Sequence, residues 1–296
     1  MHRGGQRVRT GRIFRIGTGL ALSGLALLIA VRRSSSRGAE NPNDAATYPP
    51  LDDPKLIAED VWIVDSGPVR PMGLTLPVRM TVVRLPGGEL LLHSPTSLTP
   101  ELARRVCDLG TIRHLIAPNV AHWTFLTEWQ RAYPDATLWA APGLRDRAQV
   151  RQSGLRIDRD LGNEAPAEWA GTIEQGVVAG GGFAEVWFFH VPSRTMLLTD
   201  LIQNLEPDQL PPVTATLARA ARGTAGTTSL HVRAAVKLGG ETAEAAIRKL
   251  VARAPRHVVF AHGKLFQAPA ADRLRDGFAW LLGSATGQEK IDEAED

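Results

Sequence analysis

The sequence predicts one large α/β domain, and two observations carry that prediction. Residues 113–144 read as a short strand, a polar loop, a helix and a second strand, the repeating unit of open α/β folds. Three further segments share one grammar, an apolar run that leads to a single hydrogen-bonding residue. Leu90, Leu91 and Leu92 lead to His93, Met196, Leu197 and Leu198 lead to Asp200, and Val258, Val259 and Phe260 lead to His262. Such runs are expected of buried strands that deliver one polar side chain to the edge of a sheet, where α/β folds bind their ligands. A chain of 296 residues, 44% hydrophobic and 22% charged, has the length for one such domain or two small ones, and one is favoured.

The formal charge of +3 is unevenly spread. Arg3, Arg7, Arg9, Arg12, Arg15, Arg32, Arg33 and Arg37 all precede the first acidic residue, Glu40. Taking those eight from the 34 basic residues leaves 26 against 31 acidic ones, a net charge of −5 for the rest. The body has no basic surplus, and no nucleic-acid partner is expected.

Between the arginines, residues 16–31 carry no charge. A bilayer needs roughly 20 apolar residues in a helix, so the span is complete only if Ile13 and Phe14 join it while Arg15 reaches back to the interface. Residues 1–33 are read as a basic N-terminus with an uncleaved membrane helix. The alternative is a cleaved secretory signal, against which stand Arg32 and Arg33 directly behind the run and the want of a nearby Ala-x-Ala-like site. The five arginines before the run and three after favour a cytoplasmic amino end, with the domain on the far side. Residues 34–54, rich in Ser, Asn, Asp and Pro, read as a linker.

The domain, residues 55–284, opens with a strand over 60–65. A hairpin follows, VRMTVVRL and ELLLH around Pro86-Gly87-Gly88, whose glycines supply the positive φ of a tight turn. Thr99-Pro100-Glu101 opens a helix in the order of cap, Pro at the first turn and acid, and Gly110 closes it. The one cysteine, Cys107, lies in that helix and is read as a packed thiol, since a single thiol forms no internal disulfide.

In residues 113–144 the first strand stops at Pro118, a loop carries Asn119 and His122, and Phe125, Leu126 and Trp129 recur at helical spacing. The second strand, 137–140, ends in a Pro-Gly turn. Residues 145–154 read as a helix and 155–169 as irregular. A strand at 173–178, a turn at Gly180-Gly181-Gly182 and a hairpin of 185–190 with 194–199 follow. A helical piece lies within 207–226, with amphipathic helices at 241–254 and 270–282. The tail, 285–296, is acidic and read as disordered.

Taken together, the runs APN..H, FFH.PSRT..LTDLI.N and AHG, with RMTVVRLPGGELLLHSP and W..AYP.A..WA.PGL, resemble a bacterial family, the domain of unknown function 4336. That family is in turn similar to the metallo-β-lactamase superfamily. The resemblance covers about residues 54–282. It implies an αββα four-layer sandwich, two mixed sheets packed together with helices outside and strand ends forming one site.

The superfamily's metal motif, T-H-x-H-x-D-H, falls on residues 117–123. Neither leading histidine is present, His122 stands where the aspartate would be, and Trp123 replaces the last histidine. No histidine occurs at 180–184, where the next ligand would fall. Only Asp200 and His262 match, so a dinuclear site is not expected. The candidate metal ligands are His122, Asp200 and His262, with His93 and Asn119 as neighbours. Each has a plainer reading: a helix cap for His122, capping of the following turn's amides for Asp200, and a loop-holding hydrogen bond for His93. His190 is read as part of its hairpin turn, and His114, His231 and His257 as core or surface residues. Trp123 is read as core or as a pocket wall.

Two function classes stay open. One is a hydrolase-like enzyme with a single zinc or iron ion. The other, which the degraded motif favours, is a metal-free relative that binds a small molecule or protein partner at the membrane. No glycine-rich phosphate loop, G-x-S-x-G elbow or paired C-x-x-C supports nucleotide binding, serine hydrolysis or a zinc finger.

Overall fold

The computed structural model describes residues 46–283. The proposed anchor, most of the linker and the acidic tail lie outside those residues. Among the described residues, no helix is long and apolar enough to cross a membrane.

Two sheets form. The first has seven strands in chain order: β1 (Lys55–Ala58), β2 (Val61–Val69), β3 (Leu76–Arg84), β4 (Glu89–His93), β5 (Thr111–Ala117), β6 (Thr137–Ala140) and β7 (Arg159–Asp160). Its first four strands are antiparallel and its last three join in parallel. The second sheet runs in the order β11 (His257–Val259), β10 (Thr195–Leu197), β9 (Phe183–His190), β8 (Ile173–Gly180), with only β10 and β11 parallel.

The period-two pattern of the strands builds the layers. On β4 and β5, Leu91 and Ile116 point one way and meet Val186, Phe188 and Leu197 of the second sheet, with Trp139 and Trp169. Leu90, Leu92 and Leu115 point the other way, under Leu102 and Val106 of α1 (Pro100–Cys107), Leu126 and Trp129 of α2 (Leu126–Ala132) and Val150 of α3 (Ala148–Ser153). The outer face of the second sheet, including Val178, Trp187 and Phe189, lies under Val232, Val236 and Ile247 of one long helical segment and Leu274 of another. Helix, sheet, sheet and helix therefore stack as expected. A short helix, α4 (Pro212–Ala220), sits apart over a small cluster of Ala46, Leu205 and Leu210.

Local signals read from the sequence reappear in detail. Gly87 and Gly88 take positive φ in the β3–β4 turn, and the Thr99 side chain accepts from the amide of Leu102 at the start of α1. The other helices differ from expectation in extent. The segment α5 (Leu230–Val251) starts well before residue 241 and changes direction at Gly240 (φ 58°, ψ −145°). Its neighbour Gly239 lies so close to the backbone of β8 that a Cβ there would strike the Ala179 carbonyl. The last helix is two, α6 (Ala270–Gly277) and α7 (Ala279–Leu282), parted at Phe278.

Two expectations are corrected. Residues 46–54 are not free linker. Ala46 is buried, the Asp52 amide bonds the Asp65 carbonyl at 2.8 Å, and Asp53 pairs with Arg105. Cys107 is exposed rather than packed, with its Sγ 3.3 Å from the Tyr133 hydroxyl. The buried residues of α1 are Leu102 and Val106, and the next position is turned about 100° away from Val106.

Candidate metal centre

His122, Asp200 and His262 come together from three loops. A ligand atom of each lies within 4.8 Å of the others, and this is the one group of three or more metal-competent side chains among the described residues. His122 Nε2 is 3.3 Å from Asp200 Oδ2, and His262 Nε2 is 3.6 Å from Asp200 Oδ1. The two imidazole centroids are 5.2 Å apart. The rings are nearly buried, while 16% of the Asp200 side chain remains exposed, so one side of the cluster meets solvent.

Each histidine is gripped from behind. His262 Nδ1 donates to the Pro77 carbonyl at 2.7 Å, which can only accept, so the neutral ring carries its lone pair on Nε2, toward Asp200. His122 Nδ1 lies 2.7 Å from Ser94 Oγ. Ser94 is held with φ 55°, and its amide donates to the Ile116 carbonyl at 3.1 Å. Asn119 Oδ1 accepts from the amides of Ala121 at 2.8 Å and His122 at 2.9 Å, which shapes the loop. Holding Nδ1 and presenting Nε2 is the arrangement that orients metal-binding histidines.

Asp200 is fixed by side chains and through its backbone. Asn119 Nδ2 donates to its Oδ2 at 2.7 Å and Gln203 Nε2 to its Oδ1 at 3.3 Å. Asp200 does not cap the turn that follows it, as the sequence suggested. Glu185, fully buried on β9, does so: its Oε1 accepts the Thr199 amide at 2.7 Å, and its Oε2 accepts the amides of Asp200 at 2.7 Å and Leu201 at 3.1 Å. The Asn119 side chain also reaches Glu185 Oε2, at 3.3 Å. Sequence reasoning passed over Glu185, although a lone acid inside the strand FAEVWFFH was a visible signal.

The loop of His262 is tethered to the first sheet by Arg79. Its Nη1 donates to the carbonyls of Phe260 at 3.0 Å and Gly263 at 2.7 Å, and its Nη2 pairs with buried Asp65 Oδ1 at 2.6 Å. The other candidates are placed differently. Asn119 is a hydrogen-bonding neighbour. His93 stays outside the group, its ring edge-on to Phe188 at 5.2 Å. Trp123 is half-buried against the helix-side core. His190 Nδ1 bonds Ser193 Oγ at 2.7 Å within its hairpin, His114 is buried beside Trp139, and His231 is exposed.

Charges in the cluster divide. Burial acts to raise the Asp200 carboxyl, but His122, His262 and Asn119 outweigh it and hold the group well below the ordinary range. Burial acts to lower the His122 imidazole, and Asp200 overcomes it to leave the ring raised. Burial lowers His262, only partly offset by Asp200. Burial first, then the charge of Asp200, raises Glu185 against the amides that bond it. His93 is pushed down to about 3 by burial and then by His122. Below pH ~6.5 the unfolded chain takes up a proton that folded His93 refuses, so stability falls as pH drops from ~6.5 toward 3 and is unaffected by this group above that window. The slope due to His93 is up to about 1.4 kcal/mol per pH unit. It should disappear from denaturation curves of His93→Leu, whatever that variant's stability at neutral pH.

The donor set fits one ion and not two. Two ligands about 2.1 Å from a tetrahedral ion lie about 3.4 Å apart; the imidazole nitrogens stand 3.3 and 3.6 Å from the two different oxygens of Asp200, and the three ligand atoms as a set lie within 4.8 Å. Two imidazoles and a carboxylate suit zinc or iron(II).

The family described as "Domain of unknown function (DUF4336)" matches residues 59–241. No curated protein matches the chain. Among solved structures, a metallo-β-lactamase from Pontibacter korlensis is 13% identical and covers 76% of this chain and 97% of its own, at a TM-score of 0.50. The metallo-β-lactamase FIM-1 from Pseudomonas aeruginosa, in its mono-zinc form, is 14% identical over 80% of this chain and 96% of its own, with a TM-score of 0.51. A putative diflavin flavoprotein A 5 fragment from Nostoc sp. PCC 7120 is 11% identical over 82% and 98%, with a TM-score of 0.50. At these identities the likeness shows a shared metallo-β-lactamase-like fold.

Proposed function

The chain belongs to the domain of unknown function 4336 family, and on that premise we propose that it is a membrane-anchored hydrolase-like protein whose His122, Asp200 and His262 hold a single zinc or iron ion. The observation that carries this reading is an acceptor facing an acceptor. With Nδ1 of His262 committed to Pro77, its Nε2 lone pair faces a carboxylate oxygen 3.6 Å away, and a cation between two such acceptors would satisfy both. Three protein ligands with one side open to solvent match a catalytic centre, since structural zinc sites are closed by four. The two neighbours bearing the name metallo-β-lactamase lend the reaction class to the proposal.

When bound, the ion supplies Lewis acidity, polarising a substrate oxygen and easing the ionisation of water. The chain's own residues set the geometry. Ser94 and Pro77 fix the two rings, and Glu185 fixes the backbone of Asp200. Asn119 ties the His122 loop to the Asp200 carboxylate. Residues 13–31 serve as the anchor, with the amino end in the cytoplasm and the domain on the far side.

A metal-free ligand-binding module is the second reading. It is favoured by the satisfaction of Asp200 without an ion, through Asn119, Gln203 and the raised His122. Elemental analysis of the purified full chain separates the two. The first reading expects about one zinc or iron per chain. A protein that takes up neither at micromolar metal overturns it in favour of the second.

A further inference from the structure

We propose that the exposed face of α4, together with Met72, rests on the bilayer that the N-terminal segment enters, so that the domain is docked on the membrane as well as tethered to it. The inference builds on the anchoring reading above. Its first support is where the large exposed apolar side chains lie. There are seven among the described residues, and four gather here: Met72, Val213, Leu217 and Leu230, 58%, 68%, 48% and 47% exposed. Val213 and Leu217 stand four apart on α4 and so share one face. The Leu230 amide bonds the Ala221 carbonyl at 3.0 Å, which places it at the end of α4. The loop of Met72 is tied to the same helix, the Thr75 amide donating to Thr214 Oγ1 at 3.3 Å.

The second support is where the chain enters. Ala46, the first described residue, is buried in the cluster beneath α4, with Leu205, Leu210, Ala215 and Ala218. The apolar run ends at Val31, 15 residues earlier, and so many residues reach at most about 50 Å. The chain therefore enters the domain beside α4, and a tether of this length keeps that end within reach of the bilayer. A tether this short gives an effective concentration on the order of millimolar, enough to make a weak surface contact persistent.

Charge is the third support. α4 contains no acidic residue, and its C-terminal end carries the exposed Arg219 and Arg222; Arg219 is turned about 160° from Leu217, so these arginines add positive charge beside the apolar face rather than on it, where they attract an anionic surface. Asp208, on the turn before the helix, lies at the opposite end.

The test uses the full chain in vesicles of phosphatidylcholine with phosphatidylglycerol. In a Cys107→Ser background, a nitroxide is attached at Leu217→Cys, and in a second protein at Leu238→Cys, an exposed position on α5. Both sites are solvent-facing, so the labels should not disturb folding. The expected result is that the 217 label is several-fold more accessible to oxygen than to an aqueous nickel complex, while the 238 label shows the reverse. A 217 label as open to nickel as the 238 label, on a chain that still floats with the vesicles, overturns docking and leaves the anchor standing. A chain that does not float overturns both. Spin–spin broadening at 217 without oxygen access assigns the face to a second copy and also overturns the proposal.

Discussion

Asp200→Asn is expected to lower the affinity for zinc or iron by roughly 10-fold or more, while the protein keeps its fold. The exchange is nearly isosteric and leaves an oxygen to accept from Asn119, which sits 2.7 Å from the present carboxylate. Its backbone remains held by Glu185. What is lost is the charge that joins the two imidazoles. A competition titration against a chelator of known affinity measures the effect, and equal binding by parent and variant would end the single-ion reading. A second readout needs no metal. Asp200 is the charge that raises His122 against the effect of burial. The His122 ring in the stripped variant should therefore titrate at lower pH than in the parent, visible in its NMR shifts. His262→Ala should match the loss of affinity while leaving His122 raised, since Asp200 and not His262 is the charge that raises it.

Arg79→Met is expected to be the most destabilising single change, costing about 3–5 kcal/mol, as when one partner of a buried ion pair is removed. Asp65 would stay buried with only the partly exposed Lys55, 2.5 Å away, to balance it. The carbonyls of Phe260 and Gly263 would lose their donor as well. Urea denaturation measures the cost. Adding Asp65→Leu should recover part of it, because an apolar pair replaces a stranded charge. The unrecovered part reports the two carbonyls, at about 1–3 kcal/mol each. If Arg79→Met unfolds like the parent, the tether to the His262 loop has been overvalued.

The parts of the fold that were legible in the sequence are those set locally. Strand periodicity, the Pro86-Gly87-Gly88 turn and the Thr99 cap depend on neighbours a few residues away, and the β6 strand was read to its exact bounds. The three candidate ligands could be picked out because each follows an apolar run, and the structure brings all three together. What holds them was not legible. Ser94 and the Pro77 carbonyl are ordinary loop groups until the sheets bring them to the histidines. Glu185, Arg79 and Asp65 did leave a mark, as single charges inside otherwise apolar strands. A charge in such a place is kept only when a partner comes from elsewhere in the fold, and which partner is a property of the packing. The helical stretch before Gly240 lies outside the expected helix of 241–254; there two successive glycines admit close contact with β8 and a change of direction.

At one place the two sheets meet by main chain. Asn119 bridges Glu185, and the Val186 amide donates to the Pro118 carbonyl at 2.8 Å; elsewhere two packed sheets stand about 10 Å apart, with side chains between them. The sheets are thus joined by main chain at the end of β5 and the start of β9, just ahead of the loop of His122, and Glu185 of the joined segment also holds the backbone of Asp200. The join sets the spacing between the first-half and second-half sides of the site through backbone, with Asn119 and Glu185 both bonded to Asp200.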